Sequence, residues 1–154
     1  MSGAAVCLGS RFRGDDAVGP LVAEALLEAG EVVLDCDSEP TRLLDAWAGL
    51  DLVVIVDAVV SGAEAGTVVR IDAGDGPLPH GVRLASTHAM SVADALELGR
   101  TLGRAPRRVV LYGVEGAAFG MGDPLTPAVR DVLADVTARV RHDLDQERLC
   151  TNAI

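Results

Sequence analysis

The sequence predicts an α/β domain in which helices cover both faces of an open sheet. Three observations carry this expectation. Apolar strand-like runs alternate with helical stretches almost throughout, the pattern of a sheet wound with crossover helices. One run, LDLVVIVDAV at 50–59, is apolar without alternation, as a strand buried on both faces must be. Finally, GTVVRIDA at 66–73 follows that run after a link too short for a helical crossover, so this strand is expected to run against its neighbours.

In chain order, AAVCLGS (4–10) reads as the first buried strand. DAVGPLVAEALLEAG (16–30) reads as a helix with Val18, Leu21, Val22, Ala25 and Leu26 on one face and Gly30 as its stop. EVVLDC (31–36) is the second strand. SEPTRLLDAWAG (38–49) is a short helix capped by Ser38, with Leu43, Leu44 and Trp47 inward and Gly49 ending it. The run at 50–59 is the central strand, and 66–73 the fourth. GDGPLPHGVRLAST (74–87), rich in Gly and Pro, is a surface loop. HAMSVADALELGRTLG (88–103) is a helix opening near Ser86 and Thr87, and RRVVLYGVE (107–115) is the fifth strand. The loop GAAFGMGDPL (116–125) leads into a last helix capped by Thr126 with Pro127 in its first turn. Val129, Val132, Leu133, Val136, Val140 and Leu144 form its apolar stripe. No repeat or linker divides the chain, so residues 1–154 are expected to form one domain.

Composition narrows the function. A formal charge of −10 argues against a grip on nucleic acid or anionic lipid. All 13 basic residues are Arg, which excludes Schiff-base chemistry on a lysine. The amino-terminal MSGAAVCLGS lacks the basic and apolar regions of a signal peptide, and no apolar run approaches the roughly 20 residues of a membrane span. Three cysteines without paired spacing argue against a disulfide framework. A cytoplasmic protein is expected.

In open α/β sheets chemistry sits outside the carboxyl ends of the parallel strands. Three residues fall there: Asp16 after the first strand, Asp57 closing the central strand, and His88 in STHAM where a helix begins. Two carboxylates and an imidazole suit a divalent transition metal with open positions, such as zinc or nickel. Each has a plainer reading. One of the adjacent acids Asp15 and Asp16 is accounted for by capping the next helix, worth about 0.5–2 kcal/mol, and that role is assigned to Asp15. Asp57 could simply accept hydrogen bonds from loop amides, and His88 could be an ordinary helix-start histidine. Cys36, ending the second strand, offers a competing thiolate nucleophile to pair with His88. The segment GSRFRG has neither GxGxxG spacing nor a P-loop lysine, and no nucleophile elbow surrounds Ser10 or Ser86.

Four segments occur in register: CLGSRFRGDDAVGPLVAEAL, VIVDAVVSGAEAGTV, STHAMSVADALELGRTLG and LYGVEGAAFGMGDPLTPAVRDVL. Together, from Ala5 to Val140, they resemble the hydrogenase maturation proteases. The resemblance implies a three-layer α/β/α sandwich with a five-stranded mixed sheet, one strand antiparallel. It implies a metal-dependent endopeptidase, a hydrolase that removes the carboxy-terminal extension of a nickel–iron hydrogenase large-subunit precursor after metal insertion. Asp16, Asp57 and His88 take the family's metal-binding positions, with nickel brought by the substrate and zinc or a similar ion able to substitute. The partner is then the precursor, and neither nucleic acid nor membrane. Two departures stand out: Ser10 replaces the family's usual Asn, and DCDS at 35–38 replaces its Asp-Gly-Gly loop. The competing readings are a non-catalytic nickel-dependent checkpoint that binds the precursor uncut, and the cysteine-dependent hydrolase using Cys36 and His88.

Overall fold

The computed structural model describes residues 2–35, 41–74, 76 and 87–152. Four strands form one mixed sheet in the order β1-β2-β4-β3: β1 (Gly3–Cys7), β2 (Leu52–Val59), β3 (Val68–Gly74) and β4 (Arg108–Glu115). β1 pairs parallel with β2, and β2 parallel with β4. β3 lies antiparallel on the outer edge of β4, as its short link from β2 requires. Every residue of β2 is buried, which explains its unbroken apolar run.

The expected five-stranded sheet is not what the described residues form. EVVLDC contributes one parallel bridge, Val33 to Ala5, in place of a full strand. The Ala5 amide donates to Val32 O at 2.9 Å, and the Leu34 amide donates to Ala5 O at 2.8 Å. Two hydrogen bonds hold this edge, one residue wide, and Cys36 beyond it lies outside the described residues.

The pleat divides the core in two. Val53 and Ile55 of β2 face a cluster with Leu43, Leu44 and Trp47 of helix α2 (Thr41–Trp47) and Ala95 and Leu96 of α3 (Thr87–Leu102). Val54 and Val56 face the other cluster, with Val18, Val22 and Leu26 of α1 (Val18–Glu28). The same cluster takes in Val129 of α4 (Pro127–Arg130) and Val136, Val140 and Leu144 of α5 (Leu133–Asn152). Helices therefore cover both faces. The predicted last helix is split: the Val132 amide reaches back only three residues, to Val129 O at 3.2 Å, which tightens one turn between α4 and α5. Among the described residues no helix is long and apolar enough to cross a membrane.

Candidate active site

At Cys7, level with Val56, β1 leaves the sheet, while β2 continues three residues further beside β4. The Leu8 amide makes the last link, to Val56 O at 2.8 Å. Gly9, at φ +126°, then folds the chain back; a Cβ there would stand 2.0 Å from the carbonyl oxygen of Asp16. Only glycine permits that approach. The return segment becomes a 3-10 turn, Gly14–Ala17, which rests against β2 and carries both adjacent acids.

Asp15 and Asp16 are both buried and do different work. Asp15 does not cap the helix that follows it, since no side chain caps α1. Its carboxylate instead crosses to the loop after β4. Oδ2 accepts the amides of Ala117 (2.8 Å) and Ala118 (3.2 Å), and Oδ1 accepts the Thr126 amide (2.8 Å). The Thr126 hydroxyl lies 3.0 Å from both oxygens. Thr126 is thus the backbone cap of α4, while its side chain serves Asp15 rather than the helix. Burial alone would raise the Asp15 pKa; the donors of Ala117, Thr126 and Ala118 outweigh it and hold the carboxyl below its usual range.

Asp16 is left half-satisfied. Oδ2 accepts the Ser10 amide at 2.9 Å, and the half-exposed Arg13 guanidinium stands 4.0 Å away. Oδ1 is buried without a hydrogen-bond partner among the described residues. A buried carboxylate oxygen with no donor is costly, and a bound cation is one way to recover that cost. Because the Ser10 contact is made by the main chain, it does not depend on the side chain at this position.

Asp57 is fully buried, and its Oδ1 accepts the Ala58 amide at 2.8 Å. It does not close the central strand as expected: β2 runs on through Val59, paired with Glu115 of β4. Asp57 sits instead one residue beyond the last paired position of β1, Cys7 with Val56. By the alternation of the strand it projects with Val53 and Ile55 toward the face covered by α2 and α3. Burial, with the charge of Asp57 nearby, pushes the Cys7 thiol up to about 12. Cys7 is therefore a protonated packing residue and no nucleophile.

His88 lies in the first turn of α3; its side chain falls outside the described residues, as does Cys36. The backbone still places it. α3 hands the chain to β4 at the amino edge through Gly103–Arg107, with the Arg107 amide bound to Leu50 O at 3.0 Å. Its 16 residues span about 24 Å, close to the roughly 26 Å of the 8-residue β4. Ala95 and Leu96, in the second half of the helix, pack on the face of β2 toward which Asp57 projects. Among the described residues, no three His, Cys, Asp or Glu side chains are grouped to hold a metal.

Sequence reasoning did not single out Thr126 or Glu115 as site supports. The buried Glu115 takes the Ser61 amide at 3.1 and 3.0 Å and the Ser61 hydroxyl at 2.5 Å, fixing the loop that leaves β2. These partners are 54 and 111 residues from the groups they hold, so no local pattern announces them.

The frame, a mixed sheet covered by helices on both faces, is shared with known proteins. The model of the hydrogenase maturation protease family (HycI) matches residues 20–142. The chain belongs to the hydrogenase maturation protease family. The matched stretch includes Asp57 and His88 and begins just after Asp16. The hydrogenase 3 maturation protease of Escherichia coli K12 is 28% identical over 146 residues, covering 91% of this chain and 89% of that one. The hydrogenase expression/formation protein HupD of Thiocapsa roseopersicina is 26% identical over 130 residues, 80% of this chain but only 59% of its own length. The hydrogenase maturating endopeptidase HybD from E. coli superposes with a TM-score of 0.81 at 25% identity, over 95% of this chain and 93% of that one.

Proposed function

We propose that this chain is an endopeptidase that trims the carboxy-terminal extension from a nickel–iron hydrogenase large-subunit precursor once nickel has been inserted. Family membership supports the maturation role. The observation that carries the chemistry is the buried Oδ1 of Asp16, which has no hydrogen-bond partner among the described residues. It sits on a turn that rests against β2, the strand that carries Asp57. Carboxylate oxygens with an imidazole suit a borderline divalent ion, which here is part of the substrate and arrives with the precursor.

In this reading Asp16, Asp57 and His88 hold the nickel-bearing end of the precursor against the carboxyl edge. The chemistry nickel would supply is polarisation of the scissile carbonyl or activation of a water. With Oδ1 given to the ion, Asp16 takes a proton from the attacking water at Oδ2 and returns it to the departing amine. One C–N bond breaks, one water is consumed, and a new carboxylate and a new amino terminus result. The fixed Ser10 amide orients Asp16 throughout, so no reorganisation is needed at the moment of reaction.

The deciding experiment is intact mass of nickel-loaded large-subunit precursor after incubation with wild type or with Asp16→Ala, Asp57→Ala or His88→Ala. Loss of one tail fragment with wild type alone, and none from nickel-free precursor, is the expected outcome. A precursor that binds but keeps its mass would replace the protease by a checkpoint module. Cleavage that survives Asp16→Ala and Asp57→Ala but not Cys36→Ala would move the chemistry to the thiol.

A further inference from the structure

In a chain with only two phenylalanines, both lie beside the turn that carries Asp16. Phe119 is partly buried against the core cluster below, whereas Phe12 is 71% exposed. Met121, on the same loop as Phe119, is 77% exposed. These two are the most exposed large apolar side chains among the described residues. Their backbones are joined: the Gly122 amide donates to Phe12 O at 2.7 Å.

The platform beneath them is locked. The Asp15 amide donates to Ala118 O at 2.7 Å, while the Asp15 carboxylate receives Ala117, Ala118 and Thr126 in return. Gly14, at φ +56°, lets the turn close on the loop; a Cβ there would stand 2.2 Å from Ala118 O. The loop also closes on itself, Asp123 accepting the Gly120 amide at 2.8 Å. Arg11 and Arg13 flank Phe12 and are half-exposed, Arg11 paired with the half-exposed Glu24 at 3.1 Å and Arg13 at 4.0 Å from Asp16, on a chain of net charge −10.

We infer that the Phe12–Met121 ledge is the docking surface for the hydrogenase precursor, gripping an apolar patch rimmed by carboxylates next to the segment to be cut. This rests on the protease reading above and deepens it by naming the residues that select the partner. Three arguments point to that occupant. The ledge is continuous with the turn bearing Asp16, so a chain whose scissile segment reaches Asp16 passes over it. Its composition of Phe, Met and Arg is that of an interface centre, unlike the rest of this aromatic-poor surface. Its backbone is already immobilised, so little ordering entropy is lost when the two anchors are covered.

The test is binding of precursor to the immobilised chain by biolayer interferometry, with wild type as the parent and nickel-free precursor in every arm so that nothing is cut. The arms are this parent, the parent with Phe12→Ser and Met121→Ser, and the parent with Leu27→Ser, an exposed apolar residue on α1 far along the chain from the ledge. Thermal melts confirm equal folding, and sedimentation velocity reports self-association. Affinity should fall at least about tenfold on removing the two anchors and stay at the parental value with Leu27→Ser. Affinity of the double variant within twofold of the parent overturns the inference. So does a parent that fails to bind, or one that sediments as a dimer which the double variant dissolves, since the occupant is then a second copy. Wild type that binds through the ledge but leaves the mass of nickel-loaded precursor unchanged removes the protease and leaves the ledge standing.

Discussion

Replacing Asp15 by Ala removes the acceptor for three amides and one hydroxyl at once: Ala117, Ala118, and both donors of Thr126. A donor left dry costs about 1–3 kcal/mol, and bonds to a charged acceptor lie at the upper end. Ala117 is exposed and water can take its amide; Ala118 and Thr126 are half-buried and recover only part of the loss. Counting the three half-buried donors at about 1 kcal/mol each gives a loss of about 3 kcal/mol. With a urea slope near 2 kcal/mol/M, the unfolding midpoint should fall by about 1.5 M. Asp15→Asn, which keeps one acceptor oxygen but turns a donor toward donors, should lose about 2 kcal/mol. Hydrogen exchange of the Ala117, Ala118 and Thr126 amides should accelerate in both variants while the β2 amides stay protected. A midpoint shift under about 0.5 M would refute the clasp. The pH dependence follows from the lowered carboxyl: the stability it contributes is present above the unfolded carboxylate value of about 3.9 and is lost as pH falls below it, through the lower folded pKa. The Asp15 variants should therefore differ from wild type at neutral pH and converge with it in strong acid.

Other outcomes follow from the same geometry. Asp16→Asn should abolish cleavage yet raise the melting temperature by about 2–4 °C, because it neutralises a buried carboxylate with an unpartnered oxygen; a melting temperature that falls would show that Oδ1 has a partner after all. In the folded protein at pH 8, iodoacetamide should modify the exposed Cys150 and spare Cys7, whose thiol burial and Asp57 push up to about 12; peptide mapping by mass spectrometry reads this, and equal labelling would contradict it. The single tyrosine, Tyr112, is held near pKa 12 by burial first and then by its 2.5 Å hydrogen bond to Asp143. Its phenolate absorbance should therefore appear only near pH 12, and a midpoint at 10 would refute the contact. Tyr112→Phe should cost about 1 kcal/mol by urea unfolding, since Asp143 keeps Arg70 at 3.0 Å.

Much of the fold was legible because burial writes itself into local pattern. The continuous apolar run of β2, the helical spacing of Val18, Val22 and Leu26, and the short link before β3 each follow from a physical demand met within a few residues. The misjudged pieces have a common cause. EVVLDC has strand composition, but it meets β1 at one bridge although β1 runs on to Cys7, a register that local sequence does not encode. Asp57 was expected to close the central strand, yet β2 runs on through Val59, and the buried carboxylate accepts the Ala58 amide at 2.8 Å. Thr126 carries every local mark of a side-chain cap, yet its hydroxyl turns to Asp15.

The sequence by itself determined the element types, the antiparallel placement of the strand after β2, the acidic character and the placing of the acids Asp16 and Asp57 toward the carboxyl edge. These rest on periodicity, chain length and charge, which act locally or sum over the chain. Only the tertiary structure decided what each acid does. Asp15 and Asp16 are neighbours of the same type in one 3-10 turn, and nothing local separates them. Folding brings Ala117, Ala118 and Thr126, more than a hundred residues away, against the first and satisfies it. It leaves one oxygen of the second buried and without a hydrogen-bond partner among the described residues. Hydrogen bonds reach about 3 Å, so the division of labour between two adjacent carboxylates is settled by distant chain that the fold delivers to one of them.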